Sequence, residues 1–324
     1  MWKPWVAAPV IAATLTLACN RPDAPTAPTT PPALVSLAEP PAISCPGAVT
    51  ITAPPDDPAR VDYPQPSQNG GQTPVTVECS PAATASYPVG ETIVECHATD
   101  GLKRTASCSF TVTVQPPPRL RRNRILAFGD SVTAGELVVP NTDNLILQAD
   151  SANAYPAVLA ELLFDRYGRQ PTVFNAGLGG EKAGYADRRL PFEIGKYSPD
   201  VVVLLEGYND LLYAEPAQGI QAAELGMSVL AAEARNRGAR VFICTLSPTK
   251  PGRRQIPLAT IQSANDRLRA VARGEGAQVI EVFSALIADL NVNVGSDGLH
   301  PTPLGYRRIA ETVFASLRAD LEIH

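Results

Sequence analysis

Five apolar runs of strand length recur in the C-terminal two thirds of the chain: RILAFG (124 to 129), TVFNAG (172 to 177), DVVVLLEG (200 to 207), ARVFICTL (239 to 246) and AQVIEVF (277 to 283). They are continuous rather than alternating, as in strands buried on both faces. Segments of helical period separate them, around residues 154 to 168, 183 to 195, 217 to 237 and 257 to 274. A last helix is predicted from Pro303 to Leu321, with Thr302 as N-cap and Pro303 in the first turn. Strands alternating with helices predict βαβ units and a parallel sheet covered on both sides, here over residues 124 to 324.

Residues 43 to 115 follow a different period. AVTITA, TPVTVEC, ETIVECHA and CSFTVTV alternate every second residue, are rich in Val and Thr, and are punctuated by Pro, Gly, Asn and Asp. That is the pattern of a small all-β sandwich. Before it, residues 19 to 42 form a tether in which seven prolines alternate with Ala, Thr and Asp, a composition with too little apolar surface to fold. Between the two folded units, residues 116 to 123 (PPPRLRRN) read as a linker, stiff at its Pro end, basic at its Arg end, and expected to be a solvated hinge.

The first 18 residues carry one cation, Lys3, and an apolar run from Trp5 to Ala18 that is short for a bilayer span. This is signal-peptide anatomy. The Ala18-Cys19 junction resembles a bacterial lipobox, with Thr16 where that motif prefers Leu. The resemblance implies lipidation of Cys19, a membrane contact through that residue only, and a place on the outer membrane or cell surface. Without lipidation the product would be secreted or periplasmic.

Charge and cysteines fit export. With 27 Lys and Arg against 32 Asp and Glu, the net charge of -5 supplies no basic footprint for nucleic acid, which excludes that class of partner. Cys45, Cys79, Cys96 and Cys108 cluster in the β-module, while Cys19 and Cys244 stand apart. An even cluster behind a signal sequence reads as disulfides, with three connectivities open. No C-x-x-C pair supports a zinc site, so no metal is expected. Cys45-Pro46, the PVGETIVECHATDG segment and CSFTVTV together resemble a HYR module, an immunoglobulin-like domain. That resemblance implies pairing Cys45 with Cys108 and Cys79 with Cys96. A ligand of this module is expected to be a carbohydrate or a protein, and its His97 to be structural.

Chemistry in an open α/β sheet collects beyond the carboxyl ends of the strands. Those ends carry GDSVTAG (129 to 135), NAGLGGE (175 to 181) and EGYND (206 to 210), and SDGLHP (296 to 301) follows the fifth strand after a loop. Acyl transfer needs a nucleophile, a base, an orienter for the base and donors for the oxyanion. Ser131 directly follows a strand, where Gly129 is expected to let the backbone turn. Of three histidines, His300 alone occupies a suitable loop. Asp297 precedes it by three residues and can fold back to its Nδ1. The Ser131 and Gly180 N–H groups and the Asn209 amide, at the end of its strand, complete a three-donor oxyanion hole. Asp130 is expected to brace the nucleophile loop.

Each fragment alone is weak; their order and placement at strand ends carry the reading. They resemble the blocks of the SGNH/GDSL serine hydrolases. The resemblance implies a flavodoxin-like, three-layer α/β domain with a five-stranded sheet in the order 2-1-3-4-5. It also implies an esterase working through an acyl-enzyme without a cofactor. Two features depart from the family pattern: Tyr208 replaces a small residue, and the stretch from Glu136 to Asn153 is long. Both are expected to reshape the acyl pocket.

The substrate expected is a short-chain or lysophospholipid-like ester, with apolar lining from Leu137 to Val139 and Leu145 to Leu147. Stacking aromatics would instead mark a carbohydrate O-acetylesterase, but Tyr155, Tyr185 and Tyr208 are the few aromatics near the motifs. A reading of another class is a surface adhesion protein whose hydrolase domain is inert.

Overall fold

The computed structural model describes residues 38–139 and 147–324. The signal segment, Cys19, most of the tether and Leu145 lie outside the described residues.

The N-terminal module is all β. Its main sheet runs in the order Val49–Thr52, Thr105–Gln115, Gly90–Thr99, Thr76–Ser80, and two short antiparallel pairs lie beside it. Alternation turns Val94, Cys96, Phe110, Val112 and Val114 into a common core with Tyr63 and Tyr87. Cys45 is bonded to Cys108 and Cys79 to Cys96. Burial works against the charge of the Asp100 carboxylate. Hydrogen bonds from the Gln72, Arg104 and Leu102 N–H groups and the Arg104 guanidinium outweigh it and hold the carboxyl at about 2. Arg104 also donates to the carbonyl of Ala38, and Gly71 N–H to that of Glu39, so the last tether residues are fastened to the module.

The Arg-rich end of the expected hinge, residues 119 to 122, packs onto the hydrolase fold. Arg119–Leu120 pairs antiparallel with Glu322–Ile323, and Leu120 is buried in the hydrolase core. The basic character that suggested solvation has another use: Arg122 donates to the carbonyls of Asp200 and Gly238, and Arg121 to that of Asp320. Glu322 in turn accepts from Arg166 and Tyr167.

The C-terminal sheet has five parallel strands in the order Thr172–Gly177, Arg124–Gly129, Val201–Leu205, Arg240–Cys244, Gln278–Ile280, which is 2-1-3-4-5. Every residue of Val201–Leu205 is buried, as its continuous apolar run requires for a central strand. Helices Tyr155–Tyr167, Arg189–Tyr197, Pro216–Asn236, Leu258–Glu275 and Pro303–Leu321 enclose the sheet. Two expected elements differ. The fifth apolar run stops being strand at Ile280 and becomes helix Val282–Ile287; the predicted helix from 183 opens as a 3₁₀ turn, Ala183–Arg188. Cys244 is a buried free thiol, and burial pushes its pKa well up, so it packs as a small hydrophobe.

Candidate active site

The sequence places Ser131 where the first strand of the sheet gives way to the short helix Ser131–Ala134. Asp130 caps that helix, accepting from Val132 N–H at 3.0 Å. Gly129 serves close approach rather than turning: a Cβ there would stand 2.0 Å from the Leu205 carbonyl oxygen and 2.3 Å from Thr133 Oγ1. The serine is thereby seated against the neighbouring strand.

His300 lies 169 residues away in sequence, yet its Nε2 is 2.9 Å from Ser131 Oγ. Its Nδ1 is 2.6 Å from Asp297 Oδ2. The turn that allows this is specified locally. Asp297 Oδ1 accepts the N–H groups of Leu299 and His300, both at 3.1 Å, and Gly295 N–H donates to the His300 carbonyl at 2.7 Å. All three side chains are buried, His300 to 1% exposure. Burial opposes ionisation of Asp297, but the hydrogen bond to His300 Nδ1 and those from the Leu299 and His300 N–H groups hold its carboxyl below the usual range. It is an anionic acceptor at neutral pH.

Gly180 and Asn209 stand on the neighbouring loops. Gly180 has φ +80, with open space where a Cβ would point, so its backbone is accessible and left-handed. Asn209 does not end a strand. The strand stops at Leu205, and Asn209 falls in helix Tyr208–Leu212, where one hydrogen of its amide is tied to the Glu181 carbonyl at 2.8 Å. That bond joins the two loops. Asp210 reinforces the joint by accepting from Ala183 N–H at 2.9 Å. Tyr208 is buried, and its hydroxyl donates to Ser247 Oγ at 2.8 Å. Tyr155 is likewise buried, and Tyr185 is exposed.

Sequence reasoning missed the group that braces this floor. Arg189 pairs with the Glu181 carboxylate and donates to the carbonyls of Ala176 and Gly129, with its guanidinium 3.9 Å from the Phe128 ring centre. Nothing local marks it, because its partners come from two neighbouring strands, Arg124–Gly129 and Thr172–Gly177, and from the loop after the second. Glu206 stands at the end of an apolar run. It is fully buried with neither carboxylate oxygen hydrogen-bonded, and burial, with Asp130, Glu181 and Asp210 nearby, pushes its pKa far up.

Asp130 is pushed up to about 8 by burial, against the pull of the Val132 N–H. Because the unfolded chain ionises this group near 3.8, the native state holds the extra proton between about 4 and 8. Stability attributable to the group therefore falls as pH rises through that window and levels off above it. Asp130→Asn keeps the cap acceptor and removes the titration. Urea unfolding from pH 5 to 9 is expected to show a shallower decline for the variant than for the parent; parallel declines would contradict a protonated Asp130.

Among the described residues no group of His, Cys, Asp and Glu is arranged to hold a metal ion, and no helix is long and apolar enough to cross a membrane.

With this geometry in view, residues 127–308 match the model of the GDSL-like Lipase/Acylhydrolase family. The chain belongs to that family. Residues 38–114 match the HYR domain, beginning where the tether is fastened to the module. The arylesterase of Vibrio mimicus is 26% identical over 195 residues, covering 60% of this chain and 88% of its own. Esterase TesA of Pseudomonas aeruginosa is 27% identical over 185 residues, covering 56% and 87%. In fold, the hydrolase domain is similar to the lipase/acylhydrolase from Enterococcus faecalis, at TM-score 0.50 and 23% identity over 61% of this chain and 97% of that one. This GDSL hydrolase is a serine-type carboxylic ester hydrolase.

Proposed function

We propose that Ser131 is the nucleophile, His300 its general base, Asp297 the orienter of the imidazole, and that Ser131 N–H, Gly180 N–H and the free Asn209 amide hydrogen receive the oxyanion. The carrying observation is the continuous relay from Asp297 through His300 to Ser131, at 2.6 and 2.9 Å. In this reading Ser131 Oγ attacks the ester carbonyl as its proton passes to His300 Nε2. The imidazolium then protonates the departing alkoxide, leaving an acyl-enzyme. Water, deprotonated by the same nitrogen, releases the acid and restores the serine. Asp297 stabilises the cation at each step.

The substrate proposed is a short-chain or lysophospholipid-like ester. Support comes from apolar side chains left exposed beside the oxyanion loops, Leu178 after the second strand and Tyr213 one turn beyond Asn209. Export with lipidation at Cys19 is part of the same reading, supported by two disulfides, which persist in oxidising compartments.

One experiment addresses both parts. A fluorophosphonate probe applied to a Gram-negative host expressing the full chain is expected to label Ser131, located by peptide mass, in the membrane fraction. Ser131→Ala should abolish the label, and Cys19→Ala should move it to the soluble fraction. Label retained in Ser131→Ala would remove the catalytic assignment, and label still membrane-bound in Cys19→Ala would remove the anchor.

A further inference from the structure

The two ends of the N-terminal module carry different attachments. Strand Thr105–Gln115 runs between them, 11 residues or roughly 35 Å long. At its start, Arg104 donates to the Ala38 carbonyl at 3.0 Å and so holds the end of the tether. Its other end leads into the linker. Strand Val49–Thr52 runs parallel to it and finishes beside it, where Ala53 N–H donates to the Gln115 carbonyl at 2.9 Å. The loop that follows, which carries Asp56, therefore emerges at the linker end.

That loop touches the hydrolase domain. Asp56 Oδ2 accepts from Arg169 N–H at 2.9 Å. Gly168 has φ +67, and a Cβ there would stand 2.1 Å from the same carboxylate oxygen, so glycine is required for the approach. Between Gln115, still in its strand, and Arg119, where the next begins, stand Pro116, Pro117 and Pro118. Their fixed φ favours a short extended rod rather than a swivel.

All of these contacts lie at the amino ends of the parallel strands. Arg169 comes just before Thr172–Gly177, and Arg122 holds the carbonyls of Asp200 and Gly238, just before the third and fourth strands. Ser131, Gly180 and Asn209 instead follow the carboxyl ends of the first three strands. The first strand has six residues, so roughly 17 Å of sheet separates the floor from the catalytic mouth.

We propose that the N-terminal module is a stiff spacer: docked on the floor of the sheet through Asp56 and the three prolines, it holds the catalytic mouth facing away from its own tether. The substrates served are then soluble esters arriving from the far side, not lipids of the surface to which the chain is attached. The second statement rests on the anchoring and catalytic readings above; the first does not. Residues 20 to 37 reach at most about 60 Å. Turning the mouth onto the anchoring surface would lift Ala38 about 50 Å above it and use nearly all of that reach.

The first test measures where the mouth stands. In the full chain carrying Cys19→Ala, spin labels are placed through Glu39→Cys, beside the tether attachment, and Leu178→Cys, at the carboxyl end of the second strand; Cys244 is buried and stays unlabelled. Pulsed dipolar spectroscopy is expected to give one narrow distance distribution centred beyond about 40 Å. Asp56→Lys combined with Pro117→Gly should broaden it. A centre nearer than that, or a width unchanged in the loosened variant, would overturn the spacer. This measurement depends on neither lipidation nor catalysis, so it decides even if those readings fail.

The second test uses the unlabelled lipidated chain in phosphatidylcholine vesicles. Hydrolysis of p-nitrophenyl acetate should keep its kcat/KM within about twofold of the Cys19→Ala form, and a long-chain fluorogenic ester confined to vesicles should be cleaved no faster in the enzyme's own vesicles than in separate ones. An advantage of about tenfold for its own vesicles, as expected when enzyme and substrate share a surface productively, would overturn the outward-facing mouth. No hydrolysis of either ester would instead remove the catalytic reading.

Discussion

His300→Ala is expected to lower kcat/KM for a simple activated ester by roughly 10⁴- to 10⁶-fold, the loss seen when a serine hydrolase is stripped of its base. The reason is chemical. A serine hydroxyl is a weak nucleophile until a positioned base takes its proton in the transition state. In this chain the acceptor 2.9 Å from Ser131 Oγ is His300 Nε2. His97 is exposed on the N-terminal module and His324 closes the chain beside Glu322, so neither can replace it. Residues acting as a unit are not additive, so Ser131→Ala combined with His300→Ala should lose little more than either alone. Initial rates on p-nitrophenyl acetate, with circular dichroism to verify the fold, decide the matter. A loss below about a hundredfold would mean that another base serves Ser131, and the proposed relay would fail.

The parts of this site that sequence makes legible are those whose signals are local. The strands Arg124–Gly129 and Thr172–Gly177 and the helix Pro303–Leu321 occupy the positions their apolar runs and Thr302-Pro303 cap predict. Asp297 and His300 are separated by three residues, within reach of one turn, and the structure brings them together with Ser131. The features that escaped depend on several partners that only the fold brings together. Arg189 looks like any surface cation on a helix until Glu181, Ala176 and Gly129 are folded around it. Leu120 looks like one apolar residue in a basic linker until Glu322–Ile323 arrives from the other end of the domain. Tyr208 likewise shows its partner, Ser247, only once its helix and the loop after the fourth strand are folded together.

Those hidden partners also hold the proposed oxyanion donors in place. Two loops carry Gly180 and Asn209, and the bonds that set their separation are Asn209 Nδ2 to Glu181 O, Ala183 N to Asp210 Oδ2, and the Arg189–Glu181 pair. Preorganisation of this kind lets dipoles stabilise developing charge without reorganising during the reaction. The acids beneath them would oppose an oxyanion if charged. Burial pushes the Glu206 carboxyl far up and Asp130 up to about 8, which favours their neutral forms and lessens that opposition.

Asn209→Ala is accordingly expected to lower kcat by roughly 10²- to 10³-fold, the usual consequence of losing one oxyanion donor, with KM little changed. Its amide is the only side-chain donor of the proposed three, so it is the one that substitution can delete without altering backbone. The amide has two hydrogens; one is held by the Glu181 carbonyl, and removing the side chain also frees that carbonyl and loosens the Gly180 loop. Asn209→Asp separates the two contributions. It fits the same space but replaces the donor with a carboxylate next to the site where negative charge develops, so it should be at least as damaging as alanine. Steady-state kinetics on one short-chain ester, with fluorophosphonate labelling rates as a second readout of attack at Ser131, measure both variants. Should Asn209→Ala raise KM and leave kcat intact, the amide would be a ground-state contact to substrate, and the oxyanion would have to be received by the backbone donors alone.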